Sequence, residues 1–72
     1  MNREQLIELL TPYLPDAQAL TDLGEEASLF DAGLDSMNAF LVLDDLAAAG
    51  YRVEFTDFIA RPTLGFLGEA TA

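Results

Sequence analysis

The chain has 72 residues, of which 51% are hydrophobic, and thirteen acidic residues against three arginines give it a formal net charge of -10. This length has room for a single domain with one core, over residues 1–72, and so acidic a surface repels nucleic acid. The absence of histidine, lysine and cysteine excludes a Ser-His triad, a Ser-Lys dyad, disulfides and cysteine-ligated zinc. A serine hydrolase is therefore excluded.

The sequence also gives expectations about location. No apolar stretch approaches the roughly 20 residues of a membrane span, and the first ten residues lack the basic region and long apolar run of a signal peptide. The lack of cysteine fits a reducing compartment. We therefore expect a soluble, cytoplasmic monomer that does not act at a membrane.

The first predicted helix begins at Asn2, which forms a capping box with Gln5 three residues later. Pro12 bends or ends this helix, because its ring conflicts with the carbonyl group four residues back. We place the exit between Thr11 and Leu14. The residues that form one apolar stripe, at helical spacing, are Leu6, Leu9, Leu10 and Tyr13.

A long connection follows, over residues 15–34, in which apolar side chains alternate with acids. A short turn of helix is expected near residues 16–20. We expect Leu29 and Phe30 to hold the connection to the core, since an aromatic ring left in water forgoes about 2 kcal/mol of burial.

The second predicted helix starts at Asp35 or Ser36 and continues to Ala49, where Gly50 provides the usual stop. Its apolar residues cover most of the circumference of the first three turns, which is more than one small core can bury. Some of them are therefore expected to be exposed, as in a surface that binds a partner. The alternative is an unusually well-buried helix in a tight bundle.

The rest of the chain is predicted to hold two further helices. Residues 51–55 alternate apolar and charged side chains, which indicates an extended connector. A short helix over residues 57–60, with Thr56 as its cap, and a last helix over residues 62–69, with Leu64 and Leu67 facing inward, complete the chain. The predicted fold is all-α: a small four-helix bundle with a long loop between helices one and two and a short third helix.

Ser36 is placed where the long loop meets the second predicted helix. Backbone N–H groups and the positive end of the helix dipole favour an anion there, so the position suits a phosphate. Asp and Ser are also the preferred residues of an ordinary helix cap, so the Asp35-Ser36 pair alone has two interpretations.

Two stretches of sequence extend the pattern around this serine, Leu29-Phe30-Asp31-Ala32-Gly33-Leu34-Asp35-Ser36-Met37 and Phe58-Ile59-Ala60-Arg61-Pro62-Thr63-Leu64. With the two main helices and the long loop they match, in order and spacing, the pattern of acyl and peptidyl carrier proteins, and the chain resembles that family over nearly its whole length. The tail motif is most similar to stand-alone peptidyl or aryl carrier proteins of nonribosomal peptide assembly.

The resemblance implies that a phosphopantetheinyl transferase attaches 4'-phosphopantetheine to Ser36, that Asp35 helps to present the hydroxyl, and that the chain binds no metal of its own. It implies a carrier and not an enzyme: an adenylating or acyl-transferring enzyme loads an amino acid, aryl or acyl group as a thioester, and downstream biosynthetic enzymes receive it. On the family pattern Val42 and Leu46 face inward. The residues implied in partner recognition are Met37, Phe40 and Leu41.

Three other readings stay open. The strong negative charge favours a type II acyl carrier protein of polyketide or fatty-acid synthesis. An acidic helical interaction domain with no attached group would also need a charged face and an exposed apolar patch. A calcium-binding domain is suggested by Asp31, Asp35, Asp44 and Asp45, but no loop has the spacing of an EF-hand.

Overall fold

The computed structural model describes residues 1–15 and 17–72, and all the regular elements in these residues are helical. The all-α class is confirmed. The described residues form five α-helices and not the four of the predicted bundle. The bounds of these helices are α1 Arg3–Leu10, α2 Ala17–Thr21, α3 Ser36–Ala48, α4 Phe55–Ala60 and α5 Leu64–Ala70. None of these helices is long and apolar enough to cross a bilayer.

The start and end of α1 follow the sequence signals. The Asn2 side chain accepts a hydrogen bond from the Gln5 backbone N–H (2.8 Å), and the Gln5 side chain accepts one from the Asn2 N–H (3.0 Å), so the capping box is confirmed. After Leu10 the chain tightens into a 3-10 turn, Thr11–Tyr13, with proline near its start. The predicted exit is confirmed.

The fifth helix arises in the long connection. The expected turn near residues 16–20 is a five-residue helix, α2, and residue 16 lies outside the described residues. Leu20 on α2 is fully buried, so the helix is held by the core and not by its length, which alone is too short for stability in water. Beyond α2, Leu29 is fully buried and Phe30 is half-buried, as predicted.

The core consists mainly of leucine side chains, and every helix and the long connection contribute at least one buried residue. Val42 and Leu46 face inward on α3, as predicted, and Leu64 and Leu67 do so on α5. Phe58 of α4 is the largest fully buried side chain, and its ring meets that of Phe30 edge to face, with centroids 6.0 Å apart. This contact packs the long connection against α4.

Four predicted helix boundaries are wrong: the start of α4, both ends of α5, which ends at Ala70 and not at residue 69, and the end of α3. The short helix α4 begins at Phe55, with Glu54 in the cap position, so Thr56 lies inside the helix and does not cap it. Phe55 joins the helix because its ring stacks on that of Phe40 in α3. The last helix begins two residues later than predicted, at Leu64, because the Thr63 side chain accepts the Phe66 N–H at 3.0 Å and caps α5. Helix α3 ends at residue 48, one residue early.

Candidate functional site

Ser36 is the first residue of α3, which is the longest helix in the described part of the chain. Its side chain is exposed. Within the described residues no hydrogen bond engages its hydroxyl group. An enzyme can therefore reach the oxygen without any rearrangement of this chain.

Asp35 fixes the point at which the helix begins. Its backbone is extended (φ -98°, ψ 170°), and its carboxylate accepts a hydrogen bond from the Asn38 N–H at 2.7 Å. This cap satisfies the third amide of α3 and leaves the amides of Ser36 and Met37 at the open, positive end of the helix. The loop therefore ends at Asp35, and the helix begins at Ser36.

The turn before the cap is closed by backbone hydrogen bonds. The Leu29 carbonyl accepts from both the Ala32 and the Leu34 N–H groups, at 3.1 Å each. Gly33 has a φ of +113°, and a Cβ atom at this position would lie 2.8 Å from the ring carbons Cγ and Cδ of Pro15. The loop can follow this path only with glycine at residue 33, for reasons of both conformation and space.

A second support reaches α3 from the 3-10 turn. The Asn38 side-chain Nδ2 donates to the Tyr13 carbonyl at 3.3 Å, and the Tyr13 hydroxyl donates to the Asp45 carboxylate two turns further along α3. This hydrogen bond raises the pKa of Tyr13 above its ordinary value. Sequence analysis placed Tyr13 only in the apolar stripe of the first helix, because nothing local signals a partner 32 residues away.

Exposed apolar side chains follow the serine along α3, and a further one lies on α4. Met37, Phe40 and Leu41 have exposed fractions of 79%, 52% and 46%, and Ile59 on α4 has one of 43%. We call these four residues the apolar patch. Sequence analysis missed Ile59, although Phe58 and Ile59 are adjacent in a helix and so cannot both face the core.

The apolar patch spans two helices because of one aromatic contact. The rings of Phe40 and Phe55 are stacked, with centroids 4.0 Å apart and an interplanar angle of 9°. Ile59 lies one turn beyond Phe55 on α4, and residues four apart share a helix face. The patch therefore continues from α3 onto α4 instead of following α3 alone.

An open groove of about 420 Å³ lies beside the apolar patch. Its walls are mainly apolar, and Asp44 and Arg52 supply one charge of each sign. Its lining residues are Phe40, Leu43, Asp44, Ala47, Gly50, Tyr51, Arg52, Val53 and Phe55.

The carboxylates that the structure describes form no metal-binding cluster. Among the described residues, no three His, Cys, Asp or Glu side chains are placed to hold a metal ion. The calcium-binding reading therefore gains no support from this part of the chain.

A comparison with known protein families identifies the family of the chain. The family model described as a phosphopantetheine attachment site matches residues 4–70, a range that includes Ser36, its cap and the whole apolar patch. No curated protein and no solved structure matches the chain.

Proposed function

The chain belongs to the family of phosphopantetheine carrier proteins, and we propose that Ser36 is the residue that bears the group. Proteins of this family carry 4'-phosphopantetheine covalently. The observation that carries the assignment is the exposed Ser36 hydroxyl at the start of α3. The only other serine in the sequence, Ser28, is half-buried in the long connection.

The residues at this position fit a phosphodiester. An anion at a helix N-terminus is stabilised by about 0.3–1 kcal/mol, and the amides of Ser36 and Met37 are free to face it within the described structure. The chain has no histidine or lysine, and the nearest carboxylate in sequence, that of Asp35, is engaged in the cap of α3, so in this proposal the base that removes the hydroxyl proton comes from the transferase. When bound, the group supplies a terminal thiol on which an acyl group is held as a thioester.

In this proposal residues 1–72 form one carrier domain, which is a monomer in the cytoplasm. The domain holds an amino acid, aryl or acyl intermediate for partner enzymes. The pathway we propose is nonribosomal peptide or hybrid natural-product biosynthesis. The support for this choice is the tail motif Arg61-Pro62-Thr63-Leu64. The chain itself catalyses no step.

Partner enzymes contact the apolar patch beside Ser36: a phosphopantetheinyl transferase, a loading enzyme and the enzymes that receive the cargo. The exposed acids Asp35 and Asp44 attract basic partner surfaces and speed the encounter, whereas apolar contacts at Met37 and Phe40 set how long the complex lasts. Asp35 and Ser36 belong to the part of the surface that the transferase must recognise.

Intact mass spectrometry tests the assignment. Incubation with coenzyme A and a broad-specificity transferase should add one phosphopantetheine to the wild-type chain. Ser36→Ala should remain unmodified, and Ser28→Ala, the matched control, should be modified like the wild type. Modification of Ser36→Ala would place the group on another residue and contradict the assignment. No modification of the wild type by any transferase would contradict the carrier proposal and favour an interaction domain with no attached group. Offering the modified chain to adenylating enzymes with a panel of acids then identifies the cargo class.

The groove beside the apolar patch favours one alternative cargo, the acyl chain of a type II polyketide or fatty-acid carrier. Its apolar walls could bury part of such a chain, and ligands that bind the folded state stabilise it. Loading with an octanoyl group should then raise the Tm above that of the aminoacyl form. Equal Tm values would favour the peptidyl carrier.

A further inference from the structure

Two of the three arginines in this chain hold one segment of the long connection. Arg3 on α1 donates from Nη1 to Glu25 at 2.9 Å and from Nη2 to the carbonyls of Thr21 (3.3 Å) and Leu23. From the opposite side Arg61, at the end of α4, donates from Nε to Glu26 at 3.0 Å and from Nη2 to its other carboxylate oxygen. We call Arg3 and Arg61 the arginine clamp.

The clamp is continuous with backbone contacts between the connection and the tail motif. The Gly65 N–H donates to the Glu25 carbonyl, and the Leu29 N–H donates to the Pro62 carbonyl, both at 2.8 Å. A Cβ atom at residue 65 would lie 2.4 Å from a Glu26 carboxylate oxygen and 3.0 Å from the Glu25 carbonyl oxygen. Any side chain at this position would displace the Glu26 carboxylate and press on the Glu25 carbonyl, so glycine favours the close approach of the connection to α5.

The path from the clamp to the attachment residue is short. The Leu29 N–H donates to the Pro62 carbonyl in the tail motif, and the Leu29 carbonyl accepts the hydrogen bond that closes the turn at Leu34. The next residue is Asp35, whose carboxylate caps α3. A shift of the connection at Glu25 and Glu26 would therefore change the position of the turn that precedes Ser36.

From these contacts we propose that Arg3 and Arg61 are positioning residues for the modification of Ser36. They act by keeping the connection in the one arrangement that a transferase recognises. This inference rests on the proposed function. It gives the tail motif a role at the attachment site, because Arg61 and Pro62, which belong to the motif, and Gly65, which follows it, contact the connection.

The expected effect is on recognition and not on chemistry. The paired side chains are 37–67% exposed, and exposed ion pairs shift equilibria by a factor of about 1.5 to 5. When only a fraction of the molecules is competent to bind, the apparent affinity falls by that fraction. Because the competent fraction cannot fall by more than the docking equilibrium does, Arg3→Ala and Arg61→Ala should each raise the KM of the transferase for this carrier by up to about fivefold and leave kcat unchanged.

Arg52 offers the matched control. It is exposed and makes no ion pair within the described residues, so Arg52→Ala changes the net charge by the same amount without touching the connection. Its KM should equal that of the wild type or be lower. Arg61→Lys should fall between the wild type and Arg61→Ala, because lysine keeps the charge but not the two-pronged contact with Glu26.

A second readout follows the docking of the connection directly. Amide hydrogen exchange at Gly65 and Leu29 should be faster in Arg61→Ala than in the wild type and Arg52→Ala. A residue with a merely structural role would lower the Tm without moving KM. If Arg61→Ala does not fold, Glu26→Gln, which breaks the same ion pair with little change of shape, replaces it.

The inference is overturned if Arg3→Ala and Arg61→Ala show the KM of Arg52→Ala, or if exchange at Gly65 and Leu29 does not change. A wild-type chain that no transferase modifies refutes the proposed function and not the clamp, and the exchange experiment still decides whether the clamp holds the connection.

Discussion

Gly33→Ala tests whether the loop before Ser36 is held by a close contact or only by a turn conformation. Gly33 (φ +113°) and Gly50 (φ +96°) both have the positive φ that disfavours a side chain. A Cβ at Gly33 would lie 2.8 Å from the Pro15 ring, whereas nothing lies within 4 Å of a Cβ at Gly50. The two glycines therefore differ in steric contact and share the conformational strain.

The magnitudes follow from this difference. A residue with a Cβ at positive φ costs about 1–2 kcal/mol, so Gly50→Ala should lower the free energy of unfolding by that amount. Overpacking adds about 1–3 kcal/mol, so Gly33→Ala should lose roughly 2–5 kcal/mol. Each kcal/mol lowers the Tm of a domain of this size by about 4–8 °C. Gly33→Ala can therefore remove a large part of the stability of so small a domain.

Urea unfolding followed by circular dichroism measures both variants. Pro15→Ala removes the ring carbons that the new Cβ would meet, so Gly33→Ala in that background should cost no more than Gly50→Ala does in the wild type. This comparison is a double-mutant cycle on two contacting residues. Equal losses for Gly33→Ala and Gly50→Ala in the wild-type background would refute the argument that Pro15 holds the loop.

Three further predictions concern other contacts. Leu41→Glu should leave the fold intact but slow transfer to partner enzymes. Leu46→Ala, at a fully buried position, should instead lower the free energy of unfolding by about 2–5 kcal/mol. A large fall in the Tm of Leu41→Glu with normal transfer would place Leu41 in the core. Asp45→Asn should lower the pKa of Tyr13 toward its ordinary value, because the hydrogen bond that raises it is weakened. The phenolate titration is measured in a chain in which the second tyrosine, Tyr51, is replaced by Phe. An unchanged titration in Asp45→Asn would contradict the prediction. The hydrogen bond to Arg61 lowers the pKa of Glu26, so the contribution of this ion pair to stability is present above the unfolded pKa and is lost as pH falls through the folded one. The free energy of unfolding should therefore start to fall as the pH approaches the ordinary glutamate value of about 4.3, and this fall should be smaller in Glu26→Gln. Identical pH profiles for the two chains would argue against the ion pair.

The features predicted correctly from the sequence depend on neighbours in the chain. The Asn2 capping box, the end of α1 near Pro12 and the start of α3 at Ser36 each arise from residues within four positions of one another. Local signals of this kind act before the chain has packed, so one sequence displays them. The inward positions of Val42 and Leu46 also follow from helical spacing.

The features that the sequence did not reveal join distant residues. Arg3 contacts Glu25 across 22 positions, and Arg61 contacts Glu26 across 35. Thirteen acids are available to three arginines, so charge alone cannot select these pairs. The start of α4 was misplaced for a similar reason, because Phe55 is drawn into the helix by a ring on α3 and the alternation of residues 51–55 indicated only an extended chain.

Two of the three arginines form ion pairs on the side of the connection, and this placement gives the clamp experiment a decisive sign. Arg3 and Arg61 pair there with Glu25, Glu26 and Glu69. In the loop before Ser36 and on α3, the exposed acids Asp31, Asp35 and Asp44 have no arginine partner within the described residues. Under the proposed function these unpaired acids steer a basic transferase toward the serine, and any loss of an arginine makes the chain more acidic and strengthens that steering.

Removal of Arg61 consequently has two opposed effects. The greater negative charge lowers KM, whereas the released connection raises it. Arg52→Ala has only the first effect, so steering and positioning move KM in opposite directions. At about 1 M salt, where the screening length is about 3 Å, the difference between Arg52→Ala and the wild type should vanish. At low salt, a KM of Arg61→Ala above that of Arg52→Ala indicates a positioning residue. A KM equal to that of Arg52→Ala indicates only the change in net charge. The sign of this difference decides between the two, whatever its size.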